Sequence, residues 1–346
     1  MKAAVLAQHG DSTDVIQIVD DLPMPEPQGG EVRIKMSAAA LNRLDLFVRR
    51  GWKGLNLEFP HVIGSDGAGI IDKIGEGVST LKAGDRVAVD PSIFPQDASI
   101  IGDYQNQVRP IEIIGEHRSG FAAEYVVVPA RNCILVPDGF DLKNAAAAGL
   151  VYVTAWHSLM TRGNFQAGED ILIVGAGGGV NSATIQIAKL AGARKIYVIG
   201  SDAEKCQRAH ELGADVTINR QETDNWAKEM FKLTDKRGVE VVVDNVGQAT
   251  IPLSMRAVRA GGRILVVGGT TGYNAQVNLA QLFAYHISII GSTMGEHRDY
   301  AKVMNLIFAG KLNAIIGEIF PLEDARKAQD TLENFDVFGK VVIDLE

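Results

Sequence analysis

Residues 170–189 constrain this chain more than any other stretch. An unbroken apolar run at residues 171–174 leads straight into a glycine cluster, Gly175 and Gly177 to Gly179. Apolar residues then recur at Val180, Ala183, Ile187, Ala188 and Ala191, close to a helical period. The pattern predicts a buried strand, a tight turn and a helix. Such a turn suits anion binding. Glycines let the backbone come close to a pyrophosphate, and the helix N-terminus offers free N–H groups and the positive end of a dipole. In the dinucleotide-binding register the three glycine positions fall at Ala176, Gly178 and Asn181, so the strict G-x-G-x-x-G pattern is not met. Taken alone, the turn also suits an ordinary strand–helix unit, and its meaning depends on what surrounds it.

The chain beyond this turn is regular. Apolar strands are expected at residues 195–200, 215–219, 239–247, 262–269 and 287–291, with helices at 202–212, 222–233 and 251–258. Strands alternating with helices imply right-handed crossovers and a doubly wound parallel sheet. A ligand of such a sheet lies at the carboxyl ends of the strands, at the topological switch point.

The first 130 residues differ. Short strands at 30–36, 67–74, 85–90 and 123–129 are separated by turn signals, the pattern of a small β-barrel. A helix is expected over 138–159. Beyond residue 299 the order is helix, a turn at 320–322, helix, and a final strand at 339–344 that rejoins the N-terminal part. The chain of 346 residues, 46% hydrophobic, is long enough for two domains. A net charge of −8 with no basic run argues against nucleic acid and anionic membrane as partners. Only 2 cysteines, Cys133 and Cys206, imply no disulfide framework and fit a reducing compartment. No signal-peptide core or membrane-length apolar run is visible, and a cytoplasmic protein is expected.

A set of motifs now points to a family. They include Ala40-Leu-Asn-Arg-Leu-Asp45, Pro60-His-Val-Ile-Gly-Ser-Asp-Gly-Ala-Gly69, Gly75-Glu-Gly-Val78, Ala83-Gly-Asp-Arg-Val87 and Gly120-Phe-Ala-Ala-Glu-Tyr125. Thr154-Ala-Trp156, Gly178-Gly-Val180, Leu212-Gly-Ala-Asp215, Ala260-Gly-Gly-Arg263 and Phe338-Gly-Lys-Val-Val342 come next, in that order. On these the chain resembles the medium-chain dehydrogenases/reductases over essentially its whole length. The resemblance implies an α/β protein with a GroES-like β-barrel catalytic domain, residues 1–137 and 299–346, and a Rossmann domain, residues 138–298. It also implies hydride transfer to or from a nicotinamide cofactor.

Departures from the family are informative. Its zinc-dependent alcohol dehydrogenases place a Cys where Asn42 stands, a His where Ser65 stands and a Glu where Asp66 stands; they also carry a four-Cys lobe. Residues 90–116 contain no cysteine. Zinc takes about four N or S donors, or three plus water, in a tetrahedral array. Nothing in the spacing of His61, Asp66 and His117 dictates such an array, so no metal is expected. Asn42 with Asp45 and Arg49 resembles the zinc-free quinone oxidoreductase branch. Two alternatives stay open: an alcohol dehydrogenase with one atypical catalytic zinc, and a dinucleotide-binding protein with little turnover.

Without zinc, charge developing on the substrate oxygen falls to side-chain or backbone donors. Asn42 is the candidate donor, with Thr154 on the nicotinamide side as the family places it. The equal alternative for Asn42 is a purely local role, since an amide both donates and accepts. The expected cofactor contacts are Asn42, Thr154, Gly178, Gly179, Val180, Ser201, Lys205, Asn245, Val267, Gly268, Gly269 and Lys340. NADPH is preferred over NADH in this reading. Gly200 stands where NAD-specific folds place an acid for the ribose hydroxyls, and glycine leaves room for a phosphate. Ser201 and Lys205 would serve that phosphate, while Asp202 caps the next helix. The partners expected are a small quinone or carbonyl substrate and a second copy. The homodimer, or homotetramer, would pair through the exposed edge at residues 287–291.

Overall fold

The computed structural model describes residues 1–94, 111–223, 225–334 and 337–346. Contacts divide them into two compact units, Met1–Val151 with Glu296–Glu346, and Tyr152–Gly295. The division falls inside the helix Leu142–Trp156, whereas the sequence reading placed that whole helix in the Rossmann domain. The helix continues into a π-helical segment, His157–Arg162.

In the second unit Asp170–Val174 is a strand buried along its whole length, as its apolar residues 171–174 require. It lies between Lys195–Gly200 and Val239–Asp244, both parallel to it. Val216–Asn219 extends the sheet on one side; Val258–Val266 and then Ser288–Gly291 extend it on the other. The spatial order, counting strands along the chain, is third, second, first, fourth, fifth, sixth. The reversal beside the first strand is the switch point. Helices cover the faces by a simple device. In Trp226–Leu233, Trp226 and Met230 stand one turn apart on the buried face. Each large apolar side chain so buried contributes roughly 1.5–3 kcal/mol. Asn225 starts that helix by accepting from the Lys228 N–H at 3.1 Å. At the opposite end of the sheet from the glycine turn, Asp170 opens the first strand and takes a two-pronged bond from Arg194 at 2.8 and 2.6 Å and another from Arg237 at 2.6 Å. The fifth strand ends at Val266, which leaves residues 267–269 in the loop after it.

The first unit is built on one long strand, Glu31–Leu41. It pairs antiparallel with Asp66–Ile74, Tyr125–Pro129 and Lys340–Asp344. The sheet continues through Arg86–Val89 to Cys133–Leu135 on one side and to Ile316–Pro321 on the other. Ile316–Pro321 runs parallel to Lys340–Asp344, so Phe320 and Pro321 of the expected turn at 320–322 end a strand, and Leu322 opens the short 3-10 helix Leu322–Asp324. Arg43–Arg50 and His297–Phe308 are helices in this unit. Among the described residues no helix is long and apolar enough to cross a membrane.

Candidate functional site

In the first unit the long strand hands over to the helix Arg43–Arg50 at Asn42. The Asn42 backbone N–H donates to Asp45 Oδ2 at 2.7 Å, the reciprocal half of a capping arrangement. Asp45 also accepts from the Gly64 N–H at 2.8 Å and the Ser65 hydroxyl at 2.9 Å. The Asn42 amide donates to Ser65 Oγ at 3.0 Å and Asp66 Oδ2 at 2.8 Å. Lys340, the first residue of the last strand, donates to Asn42 Oδ1 and, at 2.9 Å, to Asp66 Oδ2. Asp66 Oδ1 takes the Leu150 N–H at 2.6 Å. Gly149 is required beside it, since a β-carbon there would stand 2.3 Å from that oxygen.

This cluster is buried throughout. Burial pushes the Asp45 carboxyl up to about 6 against the pull of its donors. Burial also pushes Asp66 upward, and the Lys340 ammonium pulls it back. The Asn42 amide, the Lys340 ammonium and the Leu150 N–H all donate to the two Asp66 oxygens, a set that the carboxylate accepts in full, so the pair is carboxylate and ammonium. Both Asn42 amide hydrogens are committed here, and the donor expected to face a substrate oxygen is bound into the cluster. Lys340, expected at the cofactor, is likewise held by Asn42 and Asp66.

A group that carried no sequence signal lies nearby. Glu116 is 9% exposed, and burial, reinforced by the charge of Asp45, pushes it up to about 7. His117 Nε2 stands 3.7 Å away, too far for a hydrogen bond.

Zinc does not fit these residues. An amide and a hydroxyl occupy two of the positions in question, and the acid is already neutralised by Lys340. His61 Nε2 faces the Gly115 carbonyl at 3.3 Å, and His117 Nδ1 accepts from the Ile113 N–H at 3.2 Å. Among the described residues no three His, Cys, Asp or Glu side chains are disposed to hold a metal. Residues 95–110 of the cysteine-free stretch lie outside those described.

A dinucleotide fits the second unit. Gly175 follows the first strand at φ +113°, a conformation L side chains rarely adopt. The helix Gly179–Leu190 starts at Gly178 with no side-chain cap, which leaves its first N–H groups to a ligand. Gly178, Gly179 and Val180 therefore come together as expected. Asn245, after the fourth strand, reaches Asn181 at 3.1 Å. Val267, Gly268 and Gly269 line the next loop, where a β-carbon on Gly268 would stand 3.1 Å from the Asn245 carbonyl. Thr154 donates to Met294 Sδ at 4.0 Å.

At the end of the second strand the geometry differs from expectation. The space beside Gly200 is filled by the Cys206 sulfur, 2.3 Å from where a β-carbon would lie, so it is not open to a phosphate. Ser201 donates to Asp202 at 2.8 Å, and Lys205 Nζ pairs with the same carboxylate at 3.4 Å. Asp202 caps its own helix through the Lys205 N–H at 2.8 Å, and that bond leads the effects holding its carboxyl below the usual range.

A family model described as an alcohol dehydrogenase GroES-like domain matches residues 28–138, and one described as a zinc-binding dehydrogenase matches residues 179–309. A zinc-type alcohol dehydrogenase-like protein of Schizosaccharomyces pombe is 30% identical over 92% of this chain and 91% of its own length. The chain belongs to the medium-chain dehydrogenase/reductase superfamily. Within that superfamily it is 28% identical to the quinone oxidoreductase of Rattus norvegicus over 99% of this chain and 97% of that protein. The crystal structure of an NAD-dependent alcohol dehydrogenase superposes with a TM-score of 0.94 at 37% identity, covering 100% of both chains. A medium-chain dehydrogenase/reductase with these relatives is a nicotinamide-dependent oxidoreductase.

Replacing Lys340 by Met leaves Asp66 buried without its cation and should cost on the order of 3–5 kcal/mol in urea unfolding. Adding Asp66→Asn should recover most of that loss; a double variant no better than the single one contradicts the pairing. Glu116 sets a second expectation. Its carboxyl ionises at about 7 when folded and near 4.5 when unfolded. Its contribution to stability is therefore present below pH 4.5 and lost as pH rises to about 7, by up to about 3 kcal/mol. Glu116→Gln should match the wild type in thermal midpoint at pH 4.5 and exceed it at pH 7.5.

Proposed function

We propose that this chain is a zinc-independent reductase of quinones, enones or related small carbonyl compounds, with a preference for NADPH. The observation that carries the reading is the closed cluster of Asn42, Ser65, Asp66 and Lys340. It has an internal cation where a metal would otherwise stand, and no uncommitted amide hydrogen. When bound, the nicotinamide supplies a hydride. The substrate then gains negative charge, and a centre without a Lewis acid favours acceptors that spread that charge themselves. Quinones and enones do so over a conjugated framework, whereas a simple aldehyde concentrates it on one oxygen. Asn42 acts in this reading by orienting Ser65 and Asp66, and Lys340 keeps the buried site near neutral. The name of the rat relative points the same way.

The cofactor preference rests on charge. Gly200 carries no acid for ribose hydroxyls, and the Asp202 carboxylate is turned onto its own helix. Lys205 and the exposed Arg220 are the cations close by in sequence. The NAD-dependent relative makes the cofactor ratio the informative measurement.

Assembly is argued from the sheet edge. Among the described residues Ser288–Gly291 pairs only with the fifth strand, and Leu279, Phe283, Tyr285 and Ile289 are exposed apolar side chains on it and beside it. We infer that two copies cover this edge.

Purified protein should oxidise NADPH with quinones or enones, keep its rate in EDTA and contain well under one zinc per chain. Stoichiometric zinc, or chelator-sensitive oxidation of alcohols alone, sinks the zinc-free reading. No turnover with tight dinucleotide binding favours the low-turnover alternative. Catalytic efficiency should be higher with NADPH than with NADH, and Lys205→Ala should narrow the ratio. Light scattering should give at least twice the 37.2 kDa chain mass; a monomer at micromolar concentration refutes the pairing.

A further inference from the structure

The third glycine of the dinucleotide turn is replaced by Asn181, on the first turn of the helix Gly179–Leu190 and 4% exposed. Its Oδ1 accepts from Asn245 Nδ2 at 3.1 Å, which fixes the rotation of the amide. Asn245 is itself tied down, since its carbonyl accepts the Thr270 hydroxyl at 2.9 Å and the Thr270 N–H at 3.3 Å. With Oδ1 held, Nδ2 is placed over the turn. It lies 2.4 Å from the point a β-carbon on Gly175 would occupy and 4.0 Å from the same point on Gly178. Nδ2 makes no hydrogen bond to any described residue and retains solvent access within a residue only 4% exposed. It borders a helix N-terminus whose own N–H groups have no side-chain cap.

We propose that Asn181 is a cofactor-binding residue, its Nδ2 donating to a phosphate oxygen of the bound dinucleotide, with Asn245 as the positioning residue that aims it. The missing glycine is then a gained donor. This rests on the dinucleotide-binding reading above and adds to it one named contact, made by a residue that a glycine pattern would discount.

The test is a fluorescence titration of the full-length protein with NADPH and NADH, alongside the thermal midpoint of the unliganded protein. Asn181→Asp keeps the shape and the acceptor for Asn245, removes the donor and adds a negative charge. It should raise the Kd at least about 10-fold, a typical loss for a hydrogen bond to a charged group, and lower the thermal midpoint, since the new carboxylate is buried without a cation. Asn181→Gly, which restores the glycine pattern, should also weaken binding, by less. Wild-type Kd in either variant overturns the proposal, as does tighter binding by Asn181→Gly. If Asn181→Asp lowers the thermal midpoint sharply, the Asn181→Gly titration decides alone. A wild-type protein that binds neither dinucleotide defeats the underlying reading instead.

Discussion

Burying a carboxylate is costly unless a cation and hydrogen bonds accompany it. Asp45 and Asp66 are both buried in the first unit and meet that cost in different ways. Asp45 takes N–H and hydroxyl donors from residues at most 20 positions away. Asp66 takes its cation from Lys340, 274 positions away. The last strand therefore does more than widen a sheet. Its first residue neutralises the centre around which Asn42, Ser65 and the helix Arg43–Arg50 are arranged. Gly149, the Leu150 N–H and the Asn42 amide all depend on the orientation that Asp66 then adopts.

The second unit solves a different problem. The central strands of its sheet are buried, and Asp170, Arg194 and Arg237 form a charged group at the strand starts. The strand ends carry the turn glycines, the Asn181 and Asn245 amides and the uncapped start of Gly179–Leu190, while the Asp244 and Asp202 carboxylates there are taken up by their own nearby donors. That separation places the groups suited to an anion on one edge of the sheet. The close approaches around Gly175 and Gly268 also make the glycines there hard to replace.

Much of this was legible in the sequence, because the signals were local. The six parallel strands announced themselves as apolar runs, and the turn at Gly175 as a glycine cluster. Asp202 was legible as a cap because capping needs only the next three residues. The strand Ile316–Pro321 was hidden, since a glycine and a terminal proline read as a turn and its pairing comes from a partner beyond a helix. The partners of Asn42 were hidden for the same reason: Ser65, Asp66 and Lys340 meet it only through the sheet. The sulfur beside Gly200 depends on how Cys206 packs, which no spacing rule conveys. Glu116 lacks any local signal, because its environment is made by burial.

The discontinuity of the first unit has a consequence for synthesis. The Rossmann strands and helices form one continuous run of chain, complete once residue 295 has emerged. Asp66 emerges early and meets Lys340 only after 274 further residues. At ~5–20 residues per second the acid waits ~15–55 s for its counter-ion. During that interval the long strand Glu31–Leu41 lacks one of its three neighbours, and a nascent chain arrested short of residue 340 should show a protease-resistant Rossmann unit beside a sensitive N-terminal part.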